Sequence, residues 1–181
     1  MASGKIRLIA MDVDGVLTDG RIIIGTDGFE AKCFNAQDGL GLSILLKLGY
    51  QVVWVTGRSS VIVERRASEL HIPYLFQGVV NKAQVIENLL AEFNLGWENV
   101  LYIGDDLNDL IPLRKSALSC AVNNACLEVK QHADFVTKAY GGAGAVREII
   151  ELFLKREKRW PEALALYLRA NPDGQSKGEI Q

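Results

Sequence analysis

Short apolar runs alternate with amphipathic segments along the chain. The runs that begin near Ile6, Tyr50 and Val100 are predominantly apolar and do not alternate with polar residues, which is typical of strands buried on both faces. The segments between these runs repeat apolar residues at helical spacing. One of them, residues 81–95, has an apolar face made of Val85, Ile86, Leu89, Leu90 and Phe93. This alternation predicts an α/β fold with a doubly wound parallel sheet that is covered by helices on both sides.

Residues 20–34 interrupt the alternation. Two short segments that are predicted to be strands flank the sequence GTDG, in which Gly28 can take the positive φ that a hairpin turn needs. The pattern therefore predicts a β-hairpin insertion that presents Ile22, Ile23 and Ile24. Because a lone apolar hairpin is marginally stable in water, we expect another copy of the chain to cover it.

The C-terminal part has a different character. Residues 144–168 predict one long helix, or two helices broken at Pro161. We assign residues 1–158 to one domain and residues 159–181 to a helical or flexible tail. The apolar side of the segment after Pro161 suggests that part of the tail lies across a neighbouring subunit as a lid, and a frayed terminus is the equal alternative.

Composition excludes several classes of partner. The chain has 181 residues, 49% of them hydrophobic, with a formal net charge of −2 and a pI of about 5.7. Neither nucleic acid nor an anionic membrane is expected to bind such a chain, and no apolar run reaches the roughly 20 residues of a spanning helix. The sequence MASGK at the start has no apolar run behind it that resembles a signal peptide. Three cysteines without metal-binding spacing fit a reducing cytoplasm.

Polar residues follow the predicted strands. Since parallel strands with right-handed crossovers end at one edge of a sheet, and ligands bind there, these residues are expected to converge. They are Asp12 and Asp14, then Thr56, Gly57 and Arg58, then Lys82 at the start of a helix, and finally Asp105, Asp106 and Asp109.

Clustered carboxylates indicate a cation. Carboxylates repel one another unless they share a proton or a metal, and oxygen ligands without Cys or His favour Mg²⁺. Lys82 and the TGRSS segment could hold a phosphate. Asp12 could then act as a nucleophile, and Asp14 could donate and accept protons. Each motif alone is common in loops and caps, so the interpretation depends on their joint occurrence in this order.

These residues carry a family resemblance. The segment DVDGVLTDG, the segment VTGR, Lys82 and the segment GDDLND resemble the four motifs of the haloacid dehalogenase superfamily of phosphatases. The hairpin and the segments KCFNAQDGLG, QGVVNKAQ and YGGAGAVREI resemble, over about residues 5–155, the 3-deoxy-D-manno-octulosonate (KDO) 8-phosphate phosphatases and their nine-carbon relatives. The intervals between Asp12 and Thr56 and between Lys82 and Asp105 are too short for a cap domain.

The resemblance implies a role for each matched position. Asp12 would be the nucleophile and a Mg²⁺ ligand, and Asp14 would be the general acid and base with its main-chain carbonyl on the metal. Asp105 would complete the metal ligands, with Asp106 and Asp109 nearby. Thr56 would bind the transferring phosphoryl group, and Lys82 would neutralise it and steady Asp12. The implied substrate contacts are Asn35, Gly39, Gly57, Arg58 and Arg66, although Arg66 could equally be a solvated helix arginine.

The resemblance also implies an activity. It indicates a magnesium-dependent phosphatase that converts KDO 8-phosphate to KDO and phosphate through an aspartyl-phosphate, in a homotetramer with shared active sites. Gln37 and Ser43 stand where some relatives have basic residues, so a nine-carbon 9-phosphate of KDN or of an N-acylneuraminate stays open as substrate. A receiver-like signalling domain and an inactive scaffold are further alternatives. Asp14 argues against the receiver and the complete motif set argues against the scaffold.

Overall fold

The structure is a computed structural model that describes residues 6–168. Its strands are β1 (Leu8–Met11), β2 (Ile23–Ile24), β3 (Glu30–Ala31), β4 (Gln51–Val55), β5 (Tyr74–Phe76), β6 (Val100–Gly104), β7 (Leu118–Ala121) and β8 (Phe135–Val136). Six of them form one parallel sheet in the order β5-β4-β1-β6-β7-β8. The chain moves from β1 outwards to β5 and then crosses to β6 on the other side of β1. The predicted doubly wound fold is confirmed, and the reversal beside β1 is where such sheets bind ligands.

Seven α-helices accompany the sheet in the described part of the chain. They are α1 (Ala36–Lys47), α2 (Val61–Glu69), α3 (Lys82–Glu92), α4 (Leu110–Lys115), α5 (Leu127–His132), α6 (Ala145–Arg156) and α7 (Trp160–Leu168). Side-chain oxygens of Asn35, Ser60 and Asn81 accept backbone N–H groups at the starts of α1, α2 and α3. Between residues 6 and 168, no helix combines the length and the apolar composition needed to cross a membrane.

The core lies on both faces of the sheet. Residues of β1 are fully buried, and the largest fully buried side chains belong to Trp54, Tyr102 and Phe153. Burial on both faces explains why these strands read as continuous apolar runs rather than alternating ones. The buried Asp38, in the first turn of α1, accepts hydrogen bonds from Gly144 N and Arg147 N and so joins α1 to the start of α6.

The insertion forms the predicted hairpin. Strands β2 and β3 pair antiparallel, with Ile23 opposite Ala31. The turn between them has positive φ at Asp27 and at Gly28, whose φ is +77°. Ile22, Ile24 and Phe29 are 50%, 72% and 59% exposed in the single chain. The hairpin therefore presents an apolar outer surface, as the sequence pattern predicted.

The C-terminal helices differ from the prediction in one detail. The break lies at residues 157–159, where Lys158 takes a φ of +58°, and Pro161 sits in the first turn of α7, a position that tolerates proline. Helix α7 is part of the packed structure, since Ala163 is buried and Arg159 donates to Leu48 O. The predicted lid falls largely on residues 169–181, which lie outside the described residues.

Candidate active site

The turn that follows β1 holds Asp12 in one orientation. Its Oδ1 accepts a hydrogen bond from Val13 N at 2.7 Å, and its Oδ2 lies 2.8 Å from Lys82 Nζ. Three residues after Asp12, Gly15 has a φ of +91°, and a Cβ there would lie 2.0 Å from Asp105 Oδ2. Only glycine permits this approach, so the turn brings the β1 carboxylates against the residue that follows β6.

Lys82 links two carboxylate-bearing segments, the turn after β1 and the turn after β6. Its Nζ contacts Asp12 Oδ2 and also Asp109 Oδ1 at 2.7 Å, and its side chain is 1% exposed. Asp109 Oδ1 accepts a further bond from Tyr102 OH, and Asp109 Oδ2 accepts the backbone N–H groups of Asp105 and Asp106. Asp109 therefore has partners on both oxygens. Its position near the site follows the prediction, and its contacts fix Lys82 and the turn after β6.

The acidic cluster fits Mg²⁺. Carboxylate oxygens of Asp12, Asp105 and Asp109 lie within 4.8 Å of one another. Asp105 Oδ1 is buried without a hydrogen-bond partner, which is costly unless a cation compensates it. The donors are carboxylate oxygens alone, as Mg²⁺ prefers. Since Asp109 is already fully bonded, Asp12 and Asp105 are the side chains that would hold the ion. The predicted contribution of the Asp14 carbonyl stays a prediction.

Burial and crowding raise the pKa values of two carboxyl groups in this cluster. Burial and then the charge of Asp109 raise the pKa of Asp12 to about 6, although Lys82 opposes the shift. Burial, Asp109 and Asp12 raise the pKa of Asp105 to about 8. Burial alone would lower the pKa of Lys82, but Asp109 and Asp12 outweigh it and the pKa is raised. The site is therefore short of positive charge even with its buried lysine.

Asp14 has its own cationic partners. Its Oδ1 accepts a bond of 2.5 Å from Lys32 Nζ, and its Oδ2 lies 3.9 Å from Arg58 Nε. Lys32 follows β3 of the hairpin and was not among the predicted site residues. The available signal was the alternation of Glu30, Ala31 and Lys32, which places the two charged residues on one face of a strand.

An open pocket of about 250 Å³ lies over these groups. Its lining includes six residues that the sequence predicted, namely Asp12, Asp14, Thr56, Gly57, Arg58 and Asp105. Asp106, Gly20 and Asn108 also line it, and the last two were not predicted to bind anything. Thr56 is buried at the wall, and its Oγ1 accepts from Arg58 N at 3.4 Å. The fold thus gathers the strand-end residues at one edge, as the topology required.

Four predicted residues do not line this pocket. Lys82 lies beneath it in contact with Asp12. Asn35 Oδ1 caps α1, and Gly39 allows close approach of Arg66, whose Nη2 would be 2.7 Å from a Cβ at that position. Arg66 also bonds Glu69 and lies over the Phe34 ring. Within one chain, Asn35, Gly39 and Arg66 therefore have local structural contacts, and their contact with substrate stays a prediction.

The raised pKa values predict pH-dependent metal binding. A carboxyl whose pKa is raised on folding stabilises the folded protein below its unfolded pKa, and this contribution is lost as the pH rises towards about 8 for Asp105. A bound cation needs the ionised carboxylates. Mg²⁺ should therefore raise the melting temperature much more at pH 8 than at pH 6, with proton release between about pH 6 and 8. Melting curves with and without Mg²⁺ measure this, and an equal Mg²⁺ effect at both pH values would contradict it.

Comparison with known proteins places this site in a family. The sequence profile of haloacid dehalogenase-like hydrolases matches residues 68–150. The chain is 43% identical to 3-deoxy-D-manno-octulosonate 8-phosphate phosphatase KdsC of Escherichia coli K12 over 159 residues, which are 88% of this chain and 85% of that protein.

Solved structures agree with the sequence comparison. The phosphatase of the same name from Moraxella catarrhalis, in complex with magnesium, phosphate and KDO, superposes with a TM-score of 0.86 at 41% identity and covers 90% of this chain and 93% of that chain. The Yersinia pestis enzyme gives a TM-score of 0.83 at 41% identity over 85% and 83% of the two chains. The predicted resemblance is confirmed, and the chain belongs to the haloacid dehalogenase-like hydrolases.

Proposed function

We propose that this protein is a Mg²⁺-dependent phosphatase that hydrolyses KDO 8-phosphate to KDO and phosphate. The observation that carries the proposal is the arrangement of Asp12 and Asp14, which line one pocket and have separate lysine partners. Relatives with 43% identity that bear the name of this activity support the choice of substrate. The receiver-like alternative has no comparable support, because the chain is related to hydrolases.

The first step transfers the phosphoryl group to the protein. The Asp12 carboxylate, oriented by Val13 N and Lys82, attacks phosphorus while the bond from phosphorus to the sugar oxygen breaks. Asp14 gives its proton to that oxygen as it leaves, so KDO departs neutral at the hydroxyl. When bound, Mg²⁺ supplies positive charge that reduces the repulsion between Asp12 and the phosphate oxygens.

The second step hydrolyses the aspartyl-phosphate and restores the free Asp12 carboxylate. Asp14, now ionised, takes a proton from a water molecule as that water attacks the phosphorus of the aspartyl-phosphate. The bond from phosphorus to Asp12 breaks, phosphate leaves, and Asp14 again carries its proton. Thr56, at the wall of the same pocket, would donate to the phosphoryl oxygens in both steps. Lys82 would keep Asp12 in place and offset its charge.

A substrate panel tests this function. Phosphate release would be measured with Mg²⁺ from KDO 8-phosphate, from the 9-phosphates of KDN and N-acetylneuraminate, and from hexose 6-phosphates. The expected kcat/KM is highest for KDO 8-phosphate, by about 10-fold or more. A higher value for a nine-carbon acid would move the assignment to that substrate. No release from any sugar acid phosphate would overturn the proposed function.

Arg58 is the proposed contact for the carboxylate of the substrate. Its side chain is about half exposed and lines the pocket. The Arg58→Ala variant should lose about one to two orders of magnitude in kcat/KM for the sugar acid phosphate, since charge-assisted bonds are strong. An aryl phosphate without a carboxylate should lose far less. Equal losses on both substrates would show that Arg58 instead supports Asp14, which lies 3.9 Å away.

We further propose that the protein is a homotetramer in the cytoplasm with active sites shared between subunits. The exposed outer surface of the hairpin supports association, because Ile22, Ile24 and Phe29 lose contact with water when a neighbour covers them. A neighbouring subunit would also restrict access of water to the open pocket. Residues 1–158 would form the phosphatase domain of each subunit. The three free cysteines suit a reducing compartment.

Charge on the hairpin should break the assembly. The double variant Ile22→Asp and Ile24→Asp places two carboxylates on the outer surface without touching the core. It should sediment as a monomer with unchanged circular dichroism and turn over the sugar acid phosphate poorly. The double variant with valine at both positions is the matched control and should stay assembled and active. A fully active monomer would contradict the shared site.

A further inference from the structure

We propose that Lys32 is a positioning residue that holds the Asp14 side chain in place for proton transfer. The inference rests on the proposed role of Asp14 as proton donor and acceptor. Lys32 belongs to the hairpin and not to any strand-end motif of the sheet. The side of the hairpin that carries Lys32 and contacts Asp14 would then serve catalysis. The opposite, exposed side would serve assembly.

The contact itself is short and buried. Lys32 Nζ donates to Asp14 Oδ1 at 2.5 Å, and the Lys32 side chain is 1% exposed although the hairpin around it is largely exposed. Burying an ammonium group is costly unless carboxylates compensate it. Asp14 is the nearest of these, and Glu30 Oε1 lies 3.7 Å away. The positive charge of the buried Lys32 is therefore balanced mainly by Asp14, the proposed general acid.

The geometry separates the two oxygens of Asp14. Oδ1 is occupied by Lys32, whereas Oδ2 lies 3.9 Å from Arg58 Nε, on the side of the pocket that Arg58 lines. A charge-assisted bond on one oxygen restricts rotation of the carboxyl group. Lys32 thus leaves Oδ2 as the oxygen that carries the proton to the leaving group and later accepts one from water.

The hairpin is fixed to the catalytic domain beside this contact. Glu30 Oε2 accepts a hydrogen bond of 3.0 Å from Ser60 Oγ, and Ser60 is buried at the start of α2. Ser60 N in turn donates to Gln77 Oε1 at 2.8 Å. Glu30 and Lys32 lie on the same face of the strand and bind the domain at two points. The position of Lys32 relative to Asp14 therefore depends on how the whole hairpin is attached to the domain.

The test uses the leaving group as a reporter of proton donation. A sugar alkoxide needs a proton in order to leave, whereas p-nitrophenolate does not. With the assembled, Mg²⁺-loaded protein, Lys32→Met should lower kcat/KM for KDO 8-phosphate by about 10- to 100-fold. The same variant should lower kcat/KM for p-nitrophenyl phosphate by less than about threefold. Lys32→Arg, which keeps the positive charge and the donors, should recover part of the loss.

Two controls separate positioning from general damage. Lys115→Met removes an exposed lysine that pairs with Glu87 and should leave both substrates unchanged. Sedimentation, circular dichroism and Mg²⁺ calorimetry of Lys32→Met should match the wild type, because the predicted loss lies in proton transfer only. Equal losses on both substrates, or loss of assembly with the same kinetics, would overturn the proposal in favour of a structural role.

The test stays informative if the assigned substrate is wrong. A series of aryl phosphates with leaving groups of increasing pKa can replace the sugar phosphate. Lys32→Met should then make kcat/KM depend more steeply on the leaving-group pKa than it does in the wild type. An unchanged slope would refute the positioning role even in an active phosphatase. Failure of the wild type on KDO 8-phosphate alone would refute only the substrate assignment.

Discussion

The Asp12→Asn variant is expected to lose essentially all phosphatase activity, by roughly 10⁴-fold or more, as nucleophile replacements do. The amide is nearly isosteric with the carboxylate and can still accept from Val13 N, so the turn should keep its shape. It is nevertheless a poor nucleophile and a poor Mg²⁺ ligand. Phosphate release and Mg²⁺ calorimetry measure the two losses, and circular dichroism checks that the fold is retained.

A matched control makes this result specific. Asp27→Asn makes the same chemical change at the exposed tip of the hairpin, where φ is positive and asparagine is well tolerated. It should leave turnover and Mg²⁺ binding unchanged. Chelation by EDTA should stop the wild type and added Mg²⁺ should restore it. Wild-type activity of Asp12→Asn with added Mg²⁺ would refute the aspartyl-phosphate mechanism.

The Lys82→Met variant is expected to lose both stability and activity. Lys82 contacts Asp12 and Asp109 with 1% of its side chain exposed, and removing one partner of a buried charge pair typically costs about 3–5 kcal/mol. The penalty should be larger at pH 8 than at pH 6, because protonated carboxyl groups do not need the lost ammonium group. Since Lys82 lowers the pKa of Asp12 and of Asp105, both groups should bind protons at higher pH in the variant than in the wild type. Activity should fall about 10²-fold or more because Asp12 loses its orientation.

Chemical denaturation at two pH values, with and without Mg²⁺, measures this effect. Mg²⁺ should recover part of the stability, since it supplies positive charge to the same carboxylates. Lys115→Met is again the control, because its pair with Glu87 is exposed and screened by solvent. A Lys82→Met protein as stable as the wild type at pH 8 would show that the carboxylates are balanced by another group.

Each of the two aspartates after β1 has its own lysine partner. Lys82 comes from α3 and holds Asp12, and Lys32 comes from the hairpin and holds Asp14. The acidic pair at the end of β1 is only two residues apart, so each member needs its own partner to be kept in a distinct orientation. Asp109 adds a rigid support for Lys82, because Tyr102 and two backbone N–H groups saturate its oxygens. The arrangement supports the different roles that we propose for these neighbouring aspartates.

Some features of the site could be predicted because they are local. Asp12, Thr56 and Asp105 follow buried strands, and parallel topology places all three at one edge. The position of the break between α6 and α7 was predicted less accurately than the strand-end residues. Pro161 was the obvious signal, yet the chain turns at Lys158, because proline fits the first turn of a helix while the chain reverses earlier through a positive φ.

The substrate-binding role predicted for Asn35, Gly39 and Arg66 depends on contacts that the sequence motifs do not specify. Asn35 is used by α1 as its cap, and Gly39 and Arg66 pack against each other. Their predicted contact with substrate comes from the family resemblance. In the single chain, their observed contacts are with other residues of the same chain. Their contact with substrate stays a prediction, and the assembly experiment bears on it because active sites shared between subunits are part of the proposed function.

By itself, the sequence determined the order of strands and helices, the doubly wound fold and the set of strand-end residues, because each of these follows from short-range periodicity and from the geometry of parallel sheets. Only the tertiary structure decided which charges are paired. Lys32 and Asp14 come from different elements, as do Lys82 and Asp109, and an ion pair depends on distance and burial in three dimensions. Residue types, spacing and the family resemblance therefore identified the carboxylates of the site and Lys82, while only packing revealed that Lys32 pairs with Asp14 and that Asp109 pairs with Lys82.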